Sequence, residues 1–172
     1  SIIENCRFIN NHDTSQGGAI NTPIVAGSQR SINVKGSFFS NNYLDNAGQG
    51  AAIYTGADSV TISDSTFQDH DANKGGAIYF ANVLTDLTID NSDFIDNSAT
   101  NGGAAIYIQN ASSSLEIKNG CLFSNNDITG GNGATIYAQF ATATISDSTF
   151  EDSNGAANGG AIYFADGLTS VT

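Results

Sequence analysis

The sequence predicts an all-β fold: a single-stranded right-handed parallel β-helix, or β-solenoid. It predicts three short strands per coil, about 28 residues per coil, and a three-coil superrepeat of about 84 residues. Three observations predict it. Short apolar motifs recur in a fixed order along the whole chain. Their spacing is nearly constant. The linkers between them are Asn, Asp, Gly and Ser, which favour turns over helix.

The first motif is an alternating apolar pair: Ile32-Asn33-Val34, Val60-Thr61-Ile62, Leu87-Thr88-Ile89, Leu115-Glu116-Ile117 and Ala143-Thr144-Ile145, with Ile3 opening the series. Alternation of period two is the signature of a strand with one buried face. From Ile3 through Val34, Ile62, Ile89, Ile117 and Ile145 the steps are 31, 28, 27, 28 and 28. The second motif is a Phe with Asn or Asp two residues later: Phe8/Asn10, Phe39/Asn41, Phe67/Asp69, Phe94/Asp96, Phe123/Asn125 and Phe150/Asp152. Its steps are 31, 28, 27, 29 and 27. The third motif is a small-residue run ending in Ile and usually Tyr, as in Gly75-Gly76-Ala77-Ile78-Tyr79 and Gly159-Gly160-Ala161-Ile162-Tyr163.

A slower period lies above the coil. Thr61–Phe67 recurs verbatim as Thr144–Phe150, at an offset of 83. Gly75–Phe80 recurs at Gly159–Phe164, and Phe39–Asn42 at Phe123–Asn126, each offset by 84. Tandem duplication of three coils accounts for this.

Parity along the third motif separates inside from outside. Ile20, Ile53, Ile78, Ile106, Ile136 and Ile162 form one inward column, and the small residues Gly18, Ala51, Gly76, Ala104, Ala134 and Gly160 another. The intervening Ala19, Ala52, Ala77, Ala105, Thr135 and Ala161 then face outward. So do Tyr54, Tyr79, Tyr107, Tyr137 and Tyr163, with Asn21 in the first coil; an Ala/Tyr-inward register stays open as the alternative. Stacked coils lie roughly 4.8 Å apart, so like residues sit on like residues. Asn11, Asn42, Asn97 and Asn126 therefore form an amide ladder, interrupted by His70 and Ser153. Cys6 and Cys121 stand in a column otherwise held by Ser37, Ser65, Ser92 and Ser148. Four coils of separation, roughly 19 Å at the strand spacing, put a disulfide between them out of reach. They read as small core residues.

The chain reads as one β-helix segment over residues 1–172, about six coils, uncapped at both ends and expected to belong to a longer array. Acidic residues number 17 against 5 basic ones, a formal net charge of −12. That balance disfavours phosphate backbones and anionic membrane surfaces, and no apolar run approaches a membrane span.

The paired signatures Gly-Gly-Ala-Ile and Phe-x-x-Asn resemble the repeats of chlamydial polymorphic outer membrane proteins, and of adhesin-like surface proteins of other microbes. The first is intact at Gly17–Ile20, Gly75–Ile78 and Gly159–Ile162, and loosened at Gly50–Ile53, Gly103–Ile106 and Gly133–Ile136. The second stands at Phe8/Asn11, Phe39/Asn42, Phe94/Asn97 and Phe123/Asn126, and fails at His70 and Ser153. The resemblance implies surface exposure, an extended rod and adhesion.

Parallel β-helices also carry polysaccharide-active enzymes, so the carboxylates matter. Asp64 falls near Asp90, and Asp69 near Asp96, but these acids recur with the repeat as turn residues do. The one notable loop excursion, Thr22 to Arg30, has no acid, and Arg7, Arg30, Lys35, Lys74 and Lys118 are scattered. Asp69 and Asp96 could offer oxygens to Ca²⁺; without a Gly-Gly-x-Gly-x-Asp repeat they read as a solvated column. His12 and His70 lack Cys or His partners. Asn110-Ala111-Ser112 is the only glycosylation sequon and is expected to be accessible in a turn. Thr61, Thr88 and Thr144 form a broken threonine column, interrupted by Asn33 and Glu116, too sparse for an ice-binding array. The sequence thus assigns no catalytic, cofactor-binding or metal-binding residue, and no cofactor.

The expected function is a structural rod or fibre shaft of an extracellular or cell-surface repeat protein, not an enzyme. The alternative is an adhesin that binds glycans or a host protein through the tyrosine stripe; a polysaccharide-active enzyme is the third class. Expected partners are further coils of the same protein at both ends. Lateral self-association and a carbohydrate or surface protein are open, and no nucleic acid or direct membrane insertion is expected of this segment.

Overall fold

A computed structural model describes residues 1–25, 29–45, 48–165 and 170–171. The described residues form strands, turns and bends with no helix, wound into about six turns of about 28 residues. Every strand pairs in parallel with its counterpart in the next coil.

The Val-x-Ile motifs build the first sheet, of seven strands, running through Ser31–Lys35, Ser59–Ser63, Asp86–Asp90, Ser112–Lys118 and Phe140–Ile145. The Phe motifs build the second, of six strands, including Thr66–Gln68 and Asp93–Ile95. The Ile-Tyr motifs build another of six, including Ile78–Phe80 and Ile106–Ile108. The structure corrects the expectation of three strands per coil by adding a fourth. Two-residue strands at His12–Asp13, Tyr43–Leu44, Asp71–Ala72, Ser98–Ala99 and Asp127–Ile128 stack into a five-stranded sheet. Two residues cannot display an alternation, so no periodicity announced them.

Corners are set by backbone chemistry. Among the described residues, all eleven non-glycine residues with positive φ are Asn or Asp. Asn5, Asp64, Asn91, Asn119 and Asp147 turn the chain between the first and second sheets, where Gly36 serves in the second coil. Asn10, Asn41, Asp69, Asp96, Asn125 and Asp152 turn it after the Phe strand. Short polar side chains tolerate this left-handed region because they bond locally to the backbone. The recurring Asx after each Phe is therefore a corner residue.

The interior is a set of columns. Phe39, Phe67, Phe94 and Phe123 are wholly buried, and rings from Phe8 to Phe150 stack with centroids 4.5–4.9 Å apart and planes within 9°. Ile62, Ile89 and Ile117 of the first sheet, and Ile78, Ile106 and Ile136 of the Ile-Tyr sheet, close on them. Such packing removes apolar surface from water.

Parity succeeded within strands and failed across one corner. Ile78 and Phe80 enter the main core while Tyr79 lies on the opposite side of its strand, as expected. Ala52, Ala77 and Ala105, expected outward, are fully buried in the main core, and Thr135 is fully buried as well. Ala51, Ala104 and Ala134 are buried as expected, but in satellite clusters against the short strands, with Leu44 and Ala72 or with Ala99 and Ile128. The cause is the left-handed glycine before each run, such as Gly75 (φ 61°) and Gly103 (φ 58°), followed by bends. A period-two pattern cannot be carried through a corner.

The same corner leaves no room at Gly76. A Cβ there would lie 2.2 Å from the Ala104 carbonyl oxygen and 2.3 Å from that of Ser98. Gly76→Ala is expected to cost about 1–3 kcal/mol by overpacking. Urea denaturation of the variant checks this; an unchanged midpoint would refute it. Alanine at 51, 104 and 134 of the same column would suggest from sequence that the change is harmless.

Candidate functional site

Two polar ladders run through the buried corners. In the first, Asn11 Nδ2 donates to Asn42 Oδ1 at 2.8 Å and Asn97 Nδ2 to Asn126 Oδ1 at 2.9 Å. Backbone amides join in: Asn11 N and Asn97 N donate to the same oxygens, and His70 N donates to Asn97 Oδ1 at 3.2 Å. Amide nitrogens also reach the phenylalanine carbonyls of the preceding coil, Asn42 to Phe8, Asn97 to Phe67 and Asn126 to Phe94. Asn42, Asn97 and Asn126 are essentially inaccessible to water, so these bonds offset the cost of burying amides.

His70 occupies the same column and is equally buried. Its Nδ1 takes the place of an amide oxygen, 3.1 Å from the Asn42 backbone N–H, while Nε2 is buried with no hydrogen-bond partner. Burial pushes its pKa down to about 4, against smaller opposing effects of the Asn42 and Phe39 backbones. His70 is therefore a neutral rung of the ladder.

The second ladder was not read as one from sequence. Ser37 N donates to Ser65 Oγ and Ser65 N to Ser92 Oγ, both at 3.1 Å, and Cys6 N to Ser37 Oγ at 3.2 Å. Each hydroxyl in turn donates two residues back, Ser65 to the Ser63 carbonyl and Ser92 to that of Asp90. Cys121 Sγ accepts weakly from Ser92 N at 3.5 Å. Both cysteines are free thiols, and burial pushes the Cys121 thiol pKa up, away from a reactive thiolate. The serine column visible in the sequence was the available signal.

The tyrosines are the principal correction. Tyr54, Tyr79 and Tyr107 stack with centroids 5.3–5.4 Å apart, but are only 9%, 2% and 8% exposed. They pack with Ala81 in a cluster of their own. Tyr79 Oη donates to Gln109 Oε1, and Lys74 Nζ sits 4.8 Å from the Tyr107 ring centroid. Desolvation pushes the phenol pKa of both Tyr79 and Tyr107 up. Only Tyr137 and Tyr163 are half-buried. The expected accessible stripe for glycan or protein contact is closed over most of its length by the turns beside it.

The carboxylates considered for catalysis or Ca²⁺ stand on exposed or half-exposed corners, each held by an amide. Asp64 accepts from Asn91, Asp90 from Asn119, Asp96 from Asn125, and Asp69 from Gln68. Among the described residues no group of three His, Cys, Asp or Glu side chains converges. His12 does gain a partner that the sequence did not show: its ring stacks on Tyr43 at 4.6 Å, and Nε2 lies 3.1 Å from Asp45 Oδ1. Asn110, expected to be accessible, is half-buried, and its Nδ2 donates to the Ala81 carbonyl at 2.8 Å. Glycosylation there would break an inter-coil bond. Thr61 and Thr88 are half-exposed and Thr144 exposed, on the outer side of the first sheet.

The Thr22–Arg30 excursion, of which residues 26–28 lie outside the described residues, is clamped by Arg30. Its guanidinium donates to the Pro23 and Gly56 carbonyls, and its backbone N to Asp58 Oδ2 at 2.8 Å. Two surface depressions lie beside it: one of about 300 Å³, lined by Thr22, Gln29, Arg30 and Ser31 among others, has no carboxylate, and one of about 290 Å³ is lined by Asp58, whose carboxylate accepts from the Arg30 backbone N and from Asn82 Nδ2. A third of similar volume lies between Asp45 and Asp71, each of which has one oxygen bonded, Asp45 Oδ1 with His12 and Asp71 Oδ1 with Ser98.

Residues 76–171 match the family described as the right-handed β-helix region. Residues 5–23 match the repeat of the Chlamydia polymorphic membrane protein. Comparison with curated proteins and with solved structures gives no match. The first match spans more than half of the chain, and its description agrees with the parallel coils, the in-register columns and the Asx corners: this protein belongs to the right-handed β-helix family.

Proposed function

We propose that the chain is a length of non-enzymatic, rigid shaft in a surface-exposed repeat protein, with further coils of the same protein as its axial neighbours. One observation carries this reading: every interior column, from the Phe stack to the two polar ladders, passes from coil to coil without opening a cleft. Such a structure has nearest-neighbour contacts only, so it extends by adding coils and resists bending through its continuous sheets. The family and repeat matches suit a protein displayed at a surface. The adhesin reading loses its aromatic stripe, because three of the five rings are buried.

The test is length. Chains carrying one, two and three tandem copies of the three-coil superrepeat should appear by electron microscopy as rods of constant width. Each added copy of three coils should lengthen them by roughly 14 Å. Particles that thicken or stay globular as copies are added would overturn the shaft.

A further inference from the structure

Asn-Gly pairs punctuate the chain at Asn101, Asn119, Asn132, Asn154 and Asn158. Such a pair is open to an intramolecular reaction, because glycine puts no side chain beside the attacking nitrogen and leaves the backbone free to rotate. We infer that Asn101-Gly102 is a self-modification site. There the asparagine converts spontaneously to aspartyl and isoaspartyl residues, with water as the co-reactant.

Hydrogen bonding singles this pair out. Gly120 N donates to the Asp147 carbonyl at 2.7 Å, and Gly133 N to the Asn158 carbonyl at 2.9 Å. The Asn154 carbonyl accepts from Ile128 N at 3.0 Å. The Asn119, Asn132, Asn154 and Asn158 peptide planes are thus each tied to a neighbouring coil. The Asn101–Gly102 plane is not: among the described residues, Gly102 N donates to no group and the Asn101 carbonyl accepts from none. The cause is a mismatch of loop lengths. Three residues separate Ala99 from Gly103, and four separate Ile128 from Gly133 in the next coil. Ala99 pairs with Ile128, and Gly103 N donates to the Gly133 carbonyl at 2.8 Å. Between those two fixed points the extra residue slips the loops out of register. The Cα of Gly131, rather than an N–H, then faces the Asn101 carbonyl, since a Cβ on it would lie 2.6 Å from that oxygen.

The chemistry needs only groups already present. Asn101 is exposed, and Gly102 has a φ of 124°, which suits glycine alone. Hydroxide removes the Gly102 amide proton, and the nitrogen attacks Asn101 Cγ. A bond forms from Gly102 N to Cγ, the Cγ–Nδ2 bond breaks, and ammonia leaves. Water then opens the succinimide at either carbonyl. One opening gives aspartate; the other gives isoaspartate, with one more methylene in the backbone. Either product adds a negative charge and removes the Nδ2 that donates to Asn73 Oδ1 at 2.7 Å.

Peptide mapping by mass spectrometry tests this on the folded chain incubated in heavy-oxygen water at neutral and mildly alkaline pH. Asn101 should gain the heavy oxygen roughly tenfold faster than Asn119 and Asn132, the factor that one backbone hydrogen bond on the attacking nitrogen supplies. The rate should rise with pH, because hydroxide starts the reaction. In urea, where the inter-coil bonds are gone, the three rates should converge. Equal rates in the folded chain, an unchanged Asn101, or a difference that persists in urea would overturn the proposal.

Discussion

Replacing His70 with Asn is expected to stabilise the protein, and to do so increasingly in acid. At neutral pH the change restores an amide rung between Asn42 and Asn97 and removes the buried Nε2 that has no partner. An unsatisfied buried polar group costs about 1–3 kcal/mol, which sets the gain. Asn42 Nδ2, which reaches the Phe8 carbonyl but no side chain above it, would acquire the oxygen that Asn11 and Asn97 already find. Acid adds a second contribution. Burial holds the folded-state pKa of His70 at about 4, below its ordinary 6.5. The unfolded chain therefore binds a proton first as pH falls. The stability tied to neutral His70 is fully present above pH 6.5 and is lost progressively as pH drops from 6.5 through about 4. That loss is on the order of 3 kcal/mol by pH 4, and the His70→Asn variant escapes it. Urea denaturation of both proteins between pH 8 and pH 4 should show curves that diverge toward acid. Parallel curves would show that His70 is not the group responsible.

Truncating Phe94 should be among the most damaging single changes. Its ring is wholly buried and stacks on both Phe67 and Phe123 at 4.9 Å. Phe94→Ala should cost about 3–5 kcal/mol, combining lost transfer free energy with a cavity that rigid neighbouring coils cannot fill. Denaturant midpoints of the variant and the unaltered chain check this, and a loss below about 1 kcal/mol would contradict the column picture.

Much of the architecture was legible in the residues. The near-constant steps of the Ile and Phe columns gave the coil, and the verbatim segments gave the superrepeat. The asparagine ladder was legible because a column of identical amides has few ways to satisfy itself once buried. The second polar ladder was half-legible: Ser37, Ser65 and Ser92 share a column, but a hydroxyl suits a surface as well as a buried corner, and only the backbone geometry chose. The two-residue strands were not legible, since so short a piece has no period.

What the sequence by itself determined is the repeat, and therefore the parallel stacking. Residues spaced by one coil must sit side by side if every apolar column is to be buried, and no other winding accomplishes that for six coils together. The tertiary structure decided which face of the third motif is accessible. Left-handed glycines such as Gly75 and Gly103 swing the chain through a corner that local alternation cannot follow, putting Ala77 and Ala105 into the main core. The turns beside that corner then fold over Tyr54, Tyr79 and Tyr107, closing a face that strand parity had left open. Parity reports only which side of a strand a residue occupies. Whether that side meets water depends on backbone that arrives from elsewhere in the coil.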